Sequence, residues 1–99
     1  MFKVLLQESA KKTLDILHET DSKTFQRVID GLDDLEKNGL KSSSIKRLSN
    51  SESIFRKRVG RYRILFTLIA RKIDIWVIEM EKDTKKDYKR WLKYIKKYN

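Results

Sequence analysis

Along this chain the spacing of hydrophobic positions changes period three times, and each change marks a change of element. Phe2, Val4 and Leu6 alternate with Lys3, Leu5 and Gln7, which predicts a short strand. Ser9 then reads as a helix N-cap, and a helix from Ala10 to about His18 carries Leu14 and Leu17 on one face. Asp21 or Ser22 opens a second helix, in which Phe25, Val28, Ile29, Leu32 and Leu35 recur at the 3.6-residue period. Gly39 stands where a left-handed C-terminal cap is expected. Gly31 lies inside the apolar stripe, where glycine costs about 1 kcal/mol against alanine, and it reads as a place of close packing. A link of about three residues predicts an antiparallel helical hairpin.

From Leu40 to Ser53 the chain is polar and serine-rich and reads as a loop, with one basic piece at Lys46-Arg47-Leu48. The period then becomes two. Ile54 to Val59, Arg61 to Ile69 and Ile73 to Met80 predict a three-stranded antiparallel meander, with Arg71-Lys72 as its second turn. Thr84 reads as the cap of a last helix, with Asp87 three residues on. Its apolar stripe is Tyr88, Trp91, Leu92, Ile95 and Tyr98, and its other face is Lys85, Lys86, Lys89, Arg90, Lys93, Lys96 and Lys97. The expected order is β-α-α-β-β-β-α. This is an α+β fold with an antiparallel sheet, an N-terminal helical hairpin and a C-terminal helix. Residues 1–99 suit one domain.

Charge changes this picture. The formal net charge is +10 and it segregates: residues 1–40 carry 6 Lys/Arg against 8 Asp/Glu, and residues 41–99 carry 18 against 6. The first part reads as an ordinary surface, the second as one that meets an anion, since charge used only for solubility would not need to segregate. With no cysteine there is no disulfide and no thiolate metal site, which suits a reducing cytoplasm. The apolar run Phe2 to Leu6 is broken by Lys3 and ends at Gln7 and Glu8, so it does not read as a signal sequence. No run approaches the roughly 18 apolar residues of a membrane span, and no membrane partner is expected.

The segment from Phe55 to Phe66 concentrates the charge. Gly60-Arg61 fits a two-residue type II′ turn, which takes glycine first. Val59 then opposes Tyr62, Arg58 opposes Arg63, Lys57 opposes Ile64, Arg56 opposes Leu65 and Phe55 opposes Phe66. One face holds Phe55, Val59, Tyr62, Ile64 and Phe66, with Lys57 forced to snorkel among them. The other face gathers Arg56, Arg58 and Arg63. Like charges directly opposite each other destabilise a strand pair, and an anion between them reverses the sign. Guanidinium groups bind phosphate through two hydrogen bonds, so the expected anion is a polynucleotide phosphate, RNA above all.

These residues carry a resemblance. Phe55, Arg56, Lys57, Arg58, Val59, Gly60, Arg61, Tyr62 and Arg63 are similar to the aromatic–basic–any–basic–aliphatic–glycine–any–Tyr–Arg run of the RelE/ParE toxin superfamily of type II toxin–antitoxin systems. Ile45-Lys46-Arg47-Leu48 resembles the family's lysine–leucine element, and Ser9-Ala10-Lys11-Lys12 resembles the start of its first helix. The resemblance covers nearly the whole chain and implies a choice. RelE-like members cut mRNA in the ribosomal A site without a metal or other cofactor: the 2′-hydroxyl attacks the adjacent phosphate and leaves a 2′,3′-cyclic phosphate. ParE-like members share the fold but inhibit DNA gyrase. A non-catalytic RNA-binding relative is the third reading. For the first, favoured here, the resemblance implies Arg63 as the arginine that stabilises the transition state. It puts Arg56 and Arg58 at positions often held by lysines, one of them the base, and Tyr88 at the C-terminal tyrosine that stacks on a base or moves a proton. Arginine departs from the pattern, because a pKa above about 12 makes it a poor base. The arginine or histidine usual after the last strand is replaced by Glu81-Lys82-Asp83-Thr84-Lys85, where Lys82 or Lys85 stands in. Expected RNA contacts are Lys46, Arg47, Lys57, Arg61, Lys82, Lys85, Lys86 and Lys89. Implied partners are the ribosome, mRNA and a cognate antitoxin with an acidic amphipathic segment, for which the basic half is the complement.

Other constellations add little. His18, the one histidine, reads as a surface or helix-end residue. One histidine and no cysteine do not supply a zinc site. Asp30, Asp33, Asp34 and Glu36 read as a solvated helix face, and Trp76 as core. Three isolated glycines exclude a glycine-rich phosphate loop.

Overall fold

The structure, a computed structural model, describes residues 1–48, 52–81, 92–95 and 97. Its elements follow the order β1 (Lys3–Leu6), α1 (Glu8–Thr20), α2 (Ser22–Asn38), a 3₁₀ turn (Gly39–Lys41), β2 (Ile45–Arg47), β3 (Ile54–Val59), β4 (Tyr62–Ile69) and β5 (Lys72–Met80), and residues 92–95 and 97 are helical. The α+β class and the meander agree with the sequence reading. The five strands stand in the order β1-β5-β4-β3-β2. β2, β3, β4 and β5 pair antiparallel in succession, whereas β1 joins the far edge parallel to β5, pairing Val4 with Ile73 and Leu6 with Ile75.

Several boundaries move. α1 starts at Glu8 with Gln7 as N-cap and no side-chain cap, so Ser9 lies inside the first turn rather than capping it. The link between the helices is shorter than expected, a single residue, Asp21, whose carboxylate accepts from the Thr24 N–H at 3.1 Å and the Thr24 hydroxyl at 2.6 Å. The second hairpin turns at Ala70-Arg71, because Lys72 already pairs with Ile69. The segment expected as loop contains β2, which pairs antiparallel with β3, Lys46 opposite Arg56. Three residues with one apolar side chain show no period, so this strand is set by the open edge it meets.

The sheet buries both faces. Against α1 and α2 it packs Phe55, Ile64, Phe66, Ile73, Ile75 and Ile78, with Leu14, Leu17, Val28 and Leu35 from the helices. Leu48, Ile54, Leu65, Trp76 and Val77 form a second cluster on the opposite face, with Leu92 and Ile95. Trp76 is core, as read: its indole N–H donates to the Thr67 hydroxyl at 3.0 Å and its ring meets Tyr94 edge-on at 6.0 Å. A fully buried side chain such as Phe66 or Ile75 contributes about 1.5–3 kcal/mol. A bulge allows the double burial. Leu65 opposes Val77 and Phe66 opposes Ile75, so Trp76 is the extra residue. Trp76 and Val77 therefore both face the second cluster, and every later residue of β5 changes face.

α2 lies close on the β3–β4 hairpin. A Cβ at Gly31 would stand 2.8 Å from Val59 Cγ2 and 3.3 Å from Lys57 Cε, which explains the glycine inside the stripe. In the hairpin turn Gly60 has φ +58° and Arg61 does not share the positive φ, as a type II′ turn requires.

Candidate functional site

The register across the hairpin is the expected one: Arg58 opposes Arg63, Lys57 opposes Ile64 and Arg56 opposes Leu65. Arg56, Arg58 and Arg63 thus share the face turned away from α1 and α2, and Lys46 joins them from β2. The face is not purely cationic. Because of the bulge in β5, Glu79 stands opposite Arg63 on the same face. Arg63 is buried, at 4% exposure, and its Nε donates to Glu79 Oε1 at 2.8 Å while a second guanidinium nitrogen reaches the same oxygen. One residue past β5, Glu81 accepts from Arg58.

The repulsion expected between Arg58 and Arg63 is therefore answered from within the chain. Among the described residues the two carboxylates balance two of the four cations, which leaves a net positive excess. Each arginine has a different environment. Arg63 is clamped in the sheet by Glu79. Arg58 has a half-exposed side chain, with one nitrogen on Glu81. Arg56 is partly buried, and its Nε has no hydrogen-bond partner among the described residues. The hydrogen bond from Arg58 holds the Glu81 carboxyl below its ordinary value; partial burial opposes this, and the charges of Arg58, Arg56 and Arg63 add to it. The Glu81 backbone N–H also donates to the Arg61 carbonyl at 2.7 Å, tying the end of β5 to the hairpin turn.

Lys57 departs from the expected set of RNA contacts. It is 2% exposed, on the helix side, and its ammonium donates to Asp34 Oδ2 at 3.1 Å, Ser42 Oγ at 2.7 Å and the Ser43 carbonyl at 2.7 Å. Its length carries the charge under α2 into a polar nest rather than out to solvent. Asp34, read as part of a solvated face, is the anion of that nest. Hydrogen bonds from the Ser42 hydroxyl, the Asn38 amide, Lys57 and the Ser43 N–H hold its carboxyl far below the usual carboxylate range, against some desolvation.

Arg61 is exposed in the turn and Lys46 on β2. Arg47 is also exposed, but it opposes Phe55 and so leans toward the helix side at the sheet edge. Tyr88, Lys82, Lys85, Lys86 and Lys89 lie outside the described residues. His18 is an exposed residue on α1, its ring edge-on to Phe25 at 4.8 Å. No group of three His, Cys, Asp or Glu side chains among the described residues is placed to hold a metal ion. No helix among them is long and apolar enough to cross a membrane, which leaves β-barrels untouched. Glu79 and Glu81 are the residues that sequence reasoning missed. The available signal was the apolar pair Trp76-Val77, which breaks the alternation that would otherwise turn Glu79 inward with Ile73 and Ile75.

No family model matches the chain, and no curated protein matches it by sequence. Solved structures do match. The archaeal RelE–RelB complex from Pyrococcus horikoshii OT3 contains a chain 17% identical that superposes with a TM-score of 0.69, covering 84% of this chain and 98% of that one. The isolated RelE toxin of E. coli is 12% identical, with a TM-score of 0.67 over 96% of this chain and 99% of its own. A chain of the chromosomal ParDE TA system from P. aeruginosa is 15% identical, with a TM-score of 0.64 over 83% and 98%. The fold is that of the RelE and ParE toxins, as the sequence resemblance implied.

Proposed function

We propose that this chain is the toxin of a type II toxin–antitoxin pair, and that it cuts mRNA on the ribosome by attack of a 2′-hydroxyl on the adjacent phosphate. The observation that carries the reading is the cross-strand pair Arg58–Arg63 with Arg56 beside it, on the hairpin face turned away from the helices in a RelE/ParE fold, where Arg58 is the member open to solvent. Arg58, its side chain half exposed, swings its guanidinium onto a phosphate. Arg63, 4% exposed and held in one orientation by Glu79, contributes a fixed positive charge from within the sheet behind Arg58. Lys46 and Arg61 extend the track for neighbouring phosphates, and Tyr88 joins the site on the resemblance. Preorganised donors of this kind contribute about 10²–10³ each to such a rate. The partner follows from charge and from the neighbours: a RelE is solved with RelB and a YoeB with YefM, the latter in a toxin–antitoxin heterotetramer. An acidic segment complements the basic half of this chain.

Expression of the chain in growing cells, followed by primer extension on translated messages, tests the reading. Breaks inside reading frames, with 2′,3′-cyclic phosphate ends, are expected, and they vanish with Arg58→Ala. Arrested growth over unbroken mRNA overturns it. A second reading, inhibition of DNA gyrase, is favoured by the comparable likeness to ParE and by the internal neutralisation of Arg63. Under that reading the purified chain abolishes gyrase supercoiling and leaves RNA intact.

A further inference from the structure

Attack by a 2′-hydroxyl needs a group to take its proton, and three arginines cannot serve, since a guanidinium does not deprotonate in a protein. Among the described residues, the carboxylates on the arginine face are Glu79 and Glu81. Glu79 is engaged with the buried Arg63, whereas Glu81 stands at the rim. Its side chain is 28% exposed, Oε1 is held by Arg58, and Oε2 has no hydrogen-bond partner among the described residues. Its backbone is fixed through the Arg61 carbonyl at 2.7 Å. A carboxylate with one oxygen anchored by a phosphate-binding arginine and the other open is built to accept a proton beside that phosphate.

We infer that Glu81 is the proton acceptor for the attacking 2′-hydroxyl, an assignment that rests on the endonuclease reading above. Glu81 Oε2 takes the 2′-hydroxyl proton as the 2′-oxygen forms its bond to phosphorus. The bond from phosphorus to the 5′-oxygen breaks, and that oxygen takes a proton from water. The products are a 2′,3′-cyclic phosphate and a 5′-hydroxyl, and Glu81 returns its proton to solvent. Arg58 couples the two halves of the step. In the resting site its hydrogen bond keeps Glu81 ionised. As negative charge builds on the phosphorane, Arg58 turns toward it, the bond to Glu81 weakens, and the carboxylate becomes more basic when the proton must move. Among the described residues, the other charged groups on this face are Arg56, Arg63, Lys46 and Glu79.

The test is the single-turnover cleavage rate of a defined message on programmed ribosomes, read after brief pH jumps from pH 3 to 8 because Arg58 holds the Glu81 carboxyl below its ordinary value of 4.5, with RNA affinity measured in parallel. The wild-type rate is expected to fall about tenfold per pH unit at the acid end. Glu81→Gln, an isostere that keeps a hydrogen-bond acceptor for Arg58, is expected to cleave at least about 100-fold slower, to lose the acid limb and to bind RNA within about threefold of wild type. Glu81→Asp retains the limb at a reduced rate. Arg58→Ala slows cleavage and moves the inflection to higher pH, which a merely structural Glu81 would not produce. If wild type and Glu81→Gln cut alike, or if Glu81→Gln loses rate only in proportion to RNA affinity, the assignment is overturned and the endonuclease reading stands. If wild type does not cut, both fall.

Discussion

At the scale of single residues, the same side-chain chemistry serves opposite purposes on the two faces of one strand. Arg58 and Lys57 are neighbours in β3. The first is half exposed over a carboxylate that it shares with solvent, and the second is buried in a nest closed by Asp34, Ser42 and Ser43. Removing one partner of a buried pair strands the other charge. Lys57→Met is therefore expected to destabilise the fold by about 2–3 kcal/mol in urea denaturation, the low end of the usual range because Asp34 keeps some access to water. RNA affinity of the folded variant should change by less than about twofold, as measured by fluorescence anisotropy. The nest also makes stability depend on acid. The folded-state pKa of Asp34 is depressed below its ordinary value of 3.8, so its contribution is complete above that value and is lost as pH falls below it. Thermal melts between pH 5 and pH 2.5 should show Tm falling with acidification, and Asp34→Asn should flatten that fall while lowering Tm at pH 7.

At the scale of elements, two turns and one helix contact hold the hairpin in place. Gly31 lets α2 approach β3 until Val59 Cγ2 occupies the space of a side chain. Gly31→Ala gains roughly 1 kcal/mol of helix propensity but forces a stiff β-branched neighbour aside, at a cost of about 1–3 kcal/mol. The expected net effect is a loss of about 1 kcal/mol, recovered when Val59→Ala is added, which a double-mutant cycle reads directly. Ala70 presents the opposite case. It has φ +56° in the second turn, a conformation that costs a non-glycine residue about 1–2 kcal/mol. Ala70→Gly should raise stability by about 1 kcal/mol less the added freedom of the unfolded chain, a net gain of about 0.5 kcal/mol visible as a higher urea midpoint.

At the scale of the whole molecule, charge is sorted by half of the chain, and the sheet brings part of the basic half onto one face. Among the described residues two of the four cations there are matched by Glu79 and Glu81, so binding to single-stranded RNA should be moderate and salt-dependent rather than very tight. Each phosphate neutralised contributes about 0.7 to the slope of log K against log salt. With about three contacts the slope should be about −2 between 50 and 200 mM salt, as measured by anisotropy. Arg58→Ala should make it shallower by about 0.7, whereas Lys11→Ala, on the exposed face of α1 in the acidic half, should leave it unchanged.

Local chemistry determined the helices, the meander and the hairpin register. Periods of 3.6 and 2 are properties of neighbouring residues, and Gly60 at the turn was enough to set Arg58 against Arg63. The start of α1 and the Ala70 turn lie a residue or two from where the pattern points, because caps and turns depend on backbone angles that several residue types can adopt. What only the tertiary structure decided lies farther apart in sequence. β2 forms because β3 offers an edge, and β1 joins the opposite edge of the sheet, parallel to β5, with the helical hairpin carrying the chain across one face between them. Lys57 is buried because Asp34 and Ser42 meet it from other elements. The carboxylates reached the arginine face through a single extra residue, Trp76, which reverses the facing of all of β5 that follows. Side-chain alternation is a local rule, and a bulge breaks it for the sake of packing on two faces at once. That break turns a bare cluster of arginines into a site with its own carboxylates.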